Sequence, residues 1–200
     1  MERPTPGPLR FCVFCGSSTG AGTRYRDLAA ETGRTLAEAG IGVVYGGANR
    51  GLMGILADAA LEAGGEVHGV LPYGLQKLEV AHEGLTSLEI VDTLHERKAR
   101  MMELSRGFIA LPGGHGTLEE LFEVLTWLQL EIHRWPVGVV NLDGFYDGVV
   151  AHLDRASSEG FIRPEHRELL LVEDRLDGLV ERMRSFARAP GDGWETRVRP

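Results

Sequence analysis

Two hundred residues, 43% hydrophobic and 25% charged, suffice for one soluble domain that buries a proper core. A net charge of −8 argues against polymeric nucleic acid, whose affinity is gathered from many phosphate contacts, but not against one nucleotide in a locally basic pocket. No apolar run approaches the roughly 18 residues that span a bilayer, and Met1-Glu2-Arg3-Pro4 has no signal-peptide character, so no membrane partner and a cytoplasmic location are expected.

Residues 1–8 carry three prolines and a glycine and read as a flexible N-terminal arm. The first strand runs from about Leu9 to Cys15 and breaks at Gly16-Ser17-Ser18. A helix from Arg24 to Ala39 places Leu28, Ala29, Leu36 and Ala37 at helical spacing and stops at Gly40. Strand two, Ile41 to Tyr45, ends in a second glycine loop, Gly46 to Gly51, and a helix follows from Leu52 to Ala63. Strand three spans Val67 to Leu71. Between Tyr73 and Leu88 the pattern is weak and predicts a surface loop with a short helix. A short strand near Leu88 to Val91 precedes a helix from Thr93 to Ser105 that holds His95-Glu96-Arg97-Lys98.

Strand five, Phe108 to Leu111, ends at Pro112 and feeds the loop Gly113-Gly114-His115-Gly116. Thr117 is expected to open a long amphipathic helix that buries Leu121, Val124, Leu125 and Leu128. A sixth strand from Pro136 to Leu142, a helix from Phe145 to Ser158, a last strand from Leu169 to Val172 and a C-terminal helix complete the pattern. Residues 189–200 read as a disordered tail, leaving 9–188 as a single nucleotide-binding domain. Alternating strands and helices of this length predict an α/β, Rossmann-like doubly wound fold, its mostly parallel sheet flanked by helices on both faces.

The two cysteines, Cys12 and Cys15, are spaced like a redox pair. Such motifs sit where a helix begins and its dipole lowers a thiol pKa, whereas these lie inside an apolar strand and read as small buried hydrophobes. The seven histidines show no metal-ligand spacing, and neither a metal nor a cofactor is expected.

Ligands of open α/β sheets bind outside the carboxyl ends of the strands, where the three glycine loops after strands one, two and five can converge. Their convergence predicts a nucleotide-sized pocket. None matches the Gly-x-x-x-x-Gly-Lys-Ser/Thr cradle of triphosphates, and the glycine spacing after strand one fails the dinucleotide fingerprint. The loop feeding a helix N-terminus at Thr117 suits a phosphate, since first-turn amides lack partners there and carry partial positive charge. Thr117-x-x-Glu120 also has the spacing of a capping box, while an acid so close to a phosphate seat suits work on a hydroxyl, a water or a base. Both roles remain open, since Glu119 and Glu120 cannot face the same way.

Pro112 through Glu120 matches in full the signature Pro-Gly-Gly-x-Gly-Thr-x-x-Glu, and the chain resembles the LONELY GUY family. Its members are phosphoribohydrolases that release free base from cytokinin riboside 5′-monophosphates and often from AMP. The resemblance takes in Phe11 to Ser18, Tyr45-Gly46-Gly47, Gly51-Leu52-Met53-Gly54, the His95 to Lys98 helix, Thr126-Trp127, Pro136-Val137-Gly138 and Gly160-Phe161-Ile162. It implies Arg97 and Glu120 as catalytic residues, and Lys98, Glu79 and Thr126 as substrate contacts. The loop Gly113, Gly114, His115, Gly116, Thr117 and Glu119 would hold the 5′-phosphate, with Gly16, Ser17, Gly46 and Gly47 completing the site. It also implies a homodimer with the active site near the interface. Members have often been labelled lysine decarboxylases, which no residue reading here supports.

Cleaving an N-glycosidic bond builds positive charge on the ribose, which the Glu120 carboxylate can stabilise while it orients or deprotonates a water. Arg97 fits better on the phosphate, on the carboxylate it positions, or near the departing base, and its bland reading is a solvated residue on the charged Glu96 to Arg100 run. Two residues depart from the family pattern. Ala48 stands where a third glycine is usual and could disallow a positive φ, and His115 replaces an often aromatic tyrosine. A non-catalytic nucleotide sensor, or a carrier of a nucleotide-like cofactor, is the alternative on the same loops. The choice between adenine and prenylated adenine is not readable from these residues.

Overall fold

The computed structural model describes residues 9–75 and 81–186; the expected arm 1–8, Glu79 and the tail 189–200 lie outside the described residues. The chain divides into two compact units, Met1–Arg106 and Gly107–Pro200. The first contains β1 (Arg10–Phe14), α1 (Arg24–Glu38), β2 (Gly42–Tyr45), α2 (Gly51–Glu62), β3 (Val67–Pro72), β4 (Ser87–Val91) and α3 (Leu94–Glu103). Its strands pair in parallel in the order β4-β3-β2-β1, with Phe11 opposite Val43, Val44 opposite His68 and Leu71 opposite Ile90. The second contains β5 (Phe108–Ala110), α4 (His115–Gln129), β6 (Val137–Val140), α5 (Asp147–Ser158), α6 (Pro164–Arg167), β7 (Leu170–Glu173) and α7 (Leu176–Ser185), with β5-β6-β7 again parallel.

β2, β3, β5 and β6 are buried at every residue, as strands must be when helices cover both sheet faces, and this is why they read as unbroken apolar runs. β4 is largely exposed, and its weak pattern in the sequence follows from that. The parallel α/β fold expected from the alternation is therefore what the chain adopts. Cys12 and Cys15 are both buried. The expected sixth strand is cut short at Val140 because Leu142–Gly144 turns into a 3-10 helix in which Asp143 takes φ 51°. No helix among the described residues is long and apolar enough to cross a membrane.

Where α1 and α2 cross, they touch through backbone. A Cβ at Gly33 would lie against the Leu56 carbonyl oxygen, 2.8 Å from Ala60 N and 3.2 Å from Ala59 Cβ. Only hydrogen fits there, and even one methyl forces the helices apart. Gly33→Ala is expected to lower stability by about 1–3 kcal/mol, the cost of overpacking a tight core, although alanine is the better helix former. A urea denaturation curve checks the sign.

Candidate functional site

In the first unit the loops after β1 and β2 are joined through main chain. Leu52 N donates to Gly16 O at 3.1 Å. Gly51, at φ +57°, presses its Cα face on the Ser17 carbonyl, with Ser18 N at 2.6 Å from where a Cβ would stand. Two of the three loops thus converge as expected, with Gly16 buried and Ser17 and Ser18 exposed beside it.

The space above Gly46 and Gly47 is filled by the protein itself. A Cβ at Gly46 would collide with Arg97 Nη2 and lie 3.0 Å from its Cζ and 3.3 Å from Met53 Sδ; one at Gly47 would meet Leu88, Leu71 and the Cα of Gly69. Gly46 is a seat for the guanidinium. The positive φ values in this loop belong to Gly47, at +76°, and Gly51, and not to Ala48. The Ala48 methyl therefore carries no backbone strain, and it is fully buried.

Arg97 is 8% exposed, which overturns the reading of a solvated residue on a charged run. Two features of α3 place it. Thr93 caps the helix by accepting from Glu96 N at 3.1 Å, while the Glu96 carboxylate accepts from Thr93 N at 3.2 Å and Asp92 N at 2.9 Å, a complete capping box. Arg97 then falls four residues before Met101, and these two are the buried residues of the helix. Lys98 beside it is half-buried. Arg100 points elsewhere, with its Nε on the Glu89 carboxylate at 2.8 Å. At the end of β2 the fully buried Tyr45 phenol has its pKa raised, first by burial and then by the neighbouring Cys15 and Asp58.

The second unit shows how the signature folds. α4 begins at His115, with Gly114 as its extended N-cap and no side-chain cap. Thr117 is the third helical residue, so it neither opens the helix nor forms the capping box that its spacing with Glu120 suggested. The spacing holds but the helix starts three residues too early. No acidic residue lies in the first turn. The first intrahelical bond is Leu118 N to Gly114 O, so the amides of His115, Gly116 and Thr117 lack helical acceptors. His115 and Glu119 are exposed, Gly113 and Glu120 half-buried, and Thr117 buried. Thr126 is exposed and donates its hydroxyl to Phe122 O at 2.7 Å.

Tyr146, silent in the sequence reading, fixes the entry to this loop. Its hydroxyl donates to Leu111 O at 2.6 Å, and its amide donates to Asn141 Oδ1 at 2.7 Å. The sequence carried no signal for it, since the partner lies 35 residues away and a buried phenol's need for one shows only in the fold.

Residues 53–183 match a family described as "Possible lysine decarboxylase". The chain is 46% identical over 177 residues to cytokinin riboside 5′-monophosphate phosphoribohydrolase LOG of Oryza sativa subsp. japonica, across 88% of this chain and 73% of that protein. It is 46% identical over 186 residues to the cytokinin riboside 5′-monophosphate phosphoribohydrolase of Rhodococcoides fascians, across 92% and 93% of the two. Among solved structures, the molybdenum cofactor binding protein of Rippkaea orientalis superposes with a TM-score of 0.70 at 20% identity, over 90% of this chain and 98% of that one. That last likeness is one of fold alone.

Gly46 and Gly116 should respond oppositely to a methyl group. Gly46→Ala meets the guanidinium and is expected to lose about 1–3 kcal/mol. Gly116, with nothing within 4 Å of a Cβ, should gain about 0.5–1 kcal/mol as alanine through helix propensity. Equilibrium urea denaturation of both variants measures the two signs.

Proposed function

The chain belongs to the LONELY GUY family of cytokinin riboside 5′-monophosphate phosphoribohydrolases, and we propose that it hydrolyses the N-glycosidic bond of adenosine 5′-monophosphates, N6-modified or not. The observation that carries the phosphate assignment is Gly116. A glycine in a first helical turn costs stability relative to alanine, and neither a positive φ nor packing among the described residues accounts for it here. A bare backbone beside three amides that lack helical acceptors is what a dianionic phosphate uses, and the helix dipole adds to the attraction.

The reaction breaks C1′–N9 and forms a C1′–O bond to water. The water proton passes to a base, and N9 of the leaving adenine is protonated as the free base departs with ribose 5-phosphate. Glu120, a turn beyond the amides, suits the carboxylate that orients and deprotonates the water and faces the charge growing on the ribose. Arg97, permanently charged and largely shielded from solvent, serves the anionic or departing parts of the substrate. Lys98, Glu79, Thr126, Gly16 and Ser17 are the substrate contacts of this reading. The active form is a homodimer in the cytoplasm, its site near the interface.

AMP and isopentenyladenosine 5′-monophosphate are the substrates to try, without added metal, with base and ribose 5-phosphate followed by chromatography. Glu120→Gln is expected to cut turnover by about a hundredfold or more with nucleotide binding retained. Gly116→Ala is expected to bind AMP more weakly while melting no lower than the parent. Binding without release of base from either nucleotide would overturn the hydrolase in favour of a sensor or carrier.

A further inference from the structure

The segment that follows residue 80 is tied to the glycine loop that seats Arg97. His82 N donates to Gly47 O at 3.1 Å, and Ala81 forms an isolated antiparallel bridge with Ala48. The His82 ring is 7% exposed and is held from two sides. Gly84 N lies 3.1 Å from Nδ1 and Asp58 Oδ1 lies 2.9 Å from Nε2. A backbone amide can only donate, so Nδ1 is the acceptor, Nε2 carries the proton, and the ring donates to Asp58. Asp58 sits on α2, the helix that also supplies Met53 beneath the Gly46 seat. The imidazole thus ties α2 to the 81–84 turn, and the main chain of that turn, through the His82 amide and the Ala81 bridge, ties in the Gly47-Ala48 backbone next to the Gly46 on which the Arg97 guanidinium rests.

We propose that His82, oriented by Asp58, is a positioning residue for Arg97, acting through the Gly46–Ala48 backbone. The inference rests on the phosphoribohydrolase reading for its kinetic consequence, and on the geometry alone for its structural one. A guanidinium seated against a Cα follows that backbone, and misplacement of a group that acts in the transition state is read in kcat.

The test uses the full chain, with AMP as substrate, at a temperature where circular dichroism shows each variant folded. His82→Ala and Asp58→Ala are each expected to lower kcat by about tenfold or more with KM within about threefold, since orientation and not ground-state binding is lost. The double variant should be no worse than the poorer single one, as for two members of a single link. His82→Gln, which can still donate to Asp58, should recover most of kcat, and His82→Asn, which keeps only the Gly84 side, should not. This Gln-over-Asn order is the readout if His82→Ala does not fold. Hydrogen–deuterium exchange at the residue 82 amide should quicken in Asp58→Ala. Unchanged kcat in His82→Ala, additive losses, or equal Gln and Asn variants would overturn the positioning role. A parent protein that releases no base would overturn the hydrolase instead, and the exchange rate would still decide the link: unchanged protection at residue 82 removes it.

Discussion

A guanidinium lying on a bare Cα is the contact around which the loop after β2 and the start of α3 are arranged. Gly46 must lack a side chain because Arg97 occupies that place, and Arg97 can reach it because α3 starts where the Thr93–Glu96 box fixes it. Burying a cation is expensive, and the return is electrostatic: a charge held out of bulk water acts on a nearby anion with less screening. Lysine would not substitute, since its charge is shed more readily on burial and its head lacks the flat face that rests on glycine.

The second unit supplies charge by another route. α4 begins with a glycine N-cap, three free amides and no acid in its first turn, so its positive end stays uncancelled by its own sequence. The Tyr146 bond to Leu111 O sets where the chain leaves β5, and thereby where those amides point. Glu120 lies beyond the first turn, half-buried, and does not cap the helix.

The strands were legible because residues buried on both sheet faces must be apolar without alternation, as Val43, Val44 and Tyr45 show. The two start signals were harder to tell apart. Thr117-x-x-Glu120 and Thr93-x-x-Glu96 have the same spacing, yet only the second is a box, because Gly114 can take the extended N-cap conformation before Thr117 is reached. Residue identity does not say where a glycine-rich chain begins to coil. Arg97 was singled out through resemblance, while its burial was not legible, since its immediate neighbours are charged; the spacing to Met101 was the physical sign. His82 was silent because its partner Asp58 is 24 residues away and joined only by the fold.

The seam between the loops after β1 and β2 is made of main-chain atoms: Gly16 O, Leu52 N, the Ser17 carbonyl and the Cα of Gly51. The side chains flanking it, Ser17, Ser18, Asn49 and Arg50, stand exposed. A scaffold joined in this way separates architecture from surface. Those four side chains can change without unpicking the seam, because main-chain atoms make it, so the register of the two loops is inherited independently of the surface that covers them.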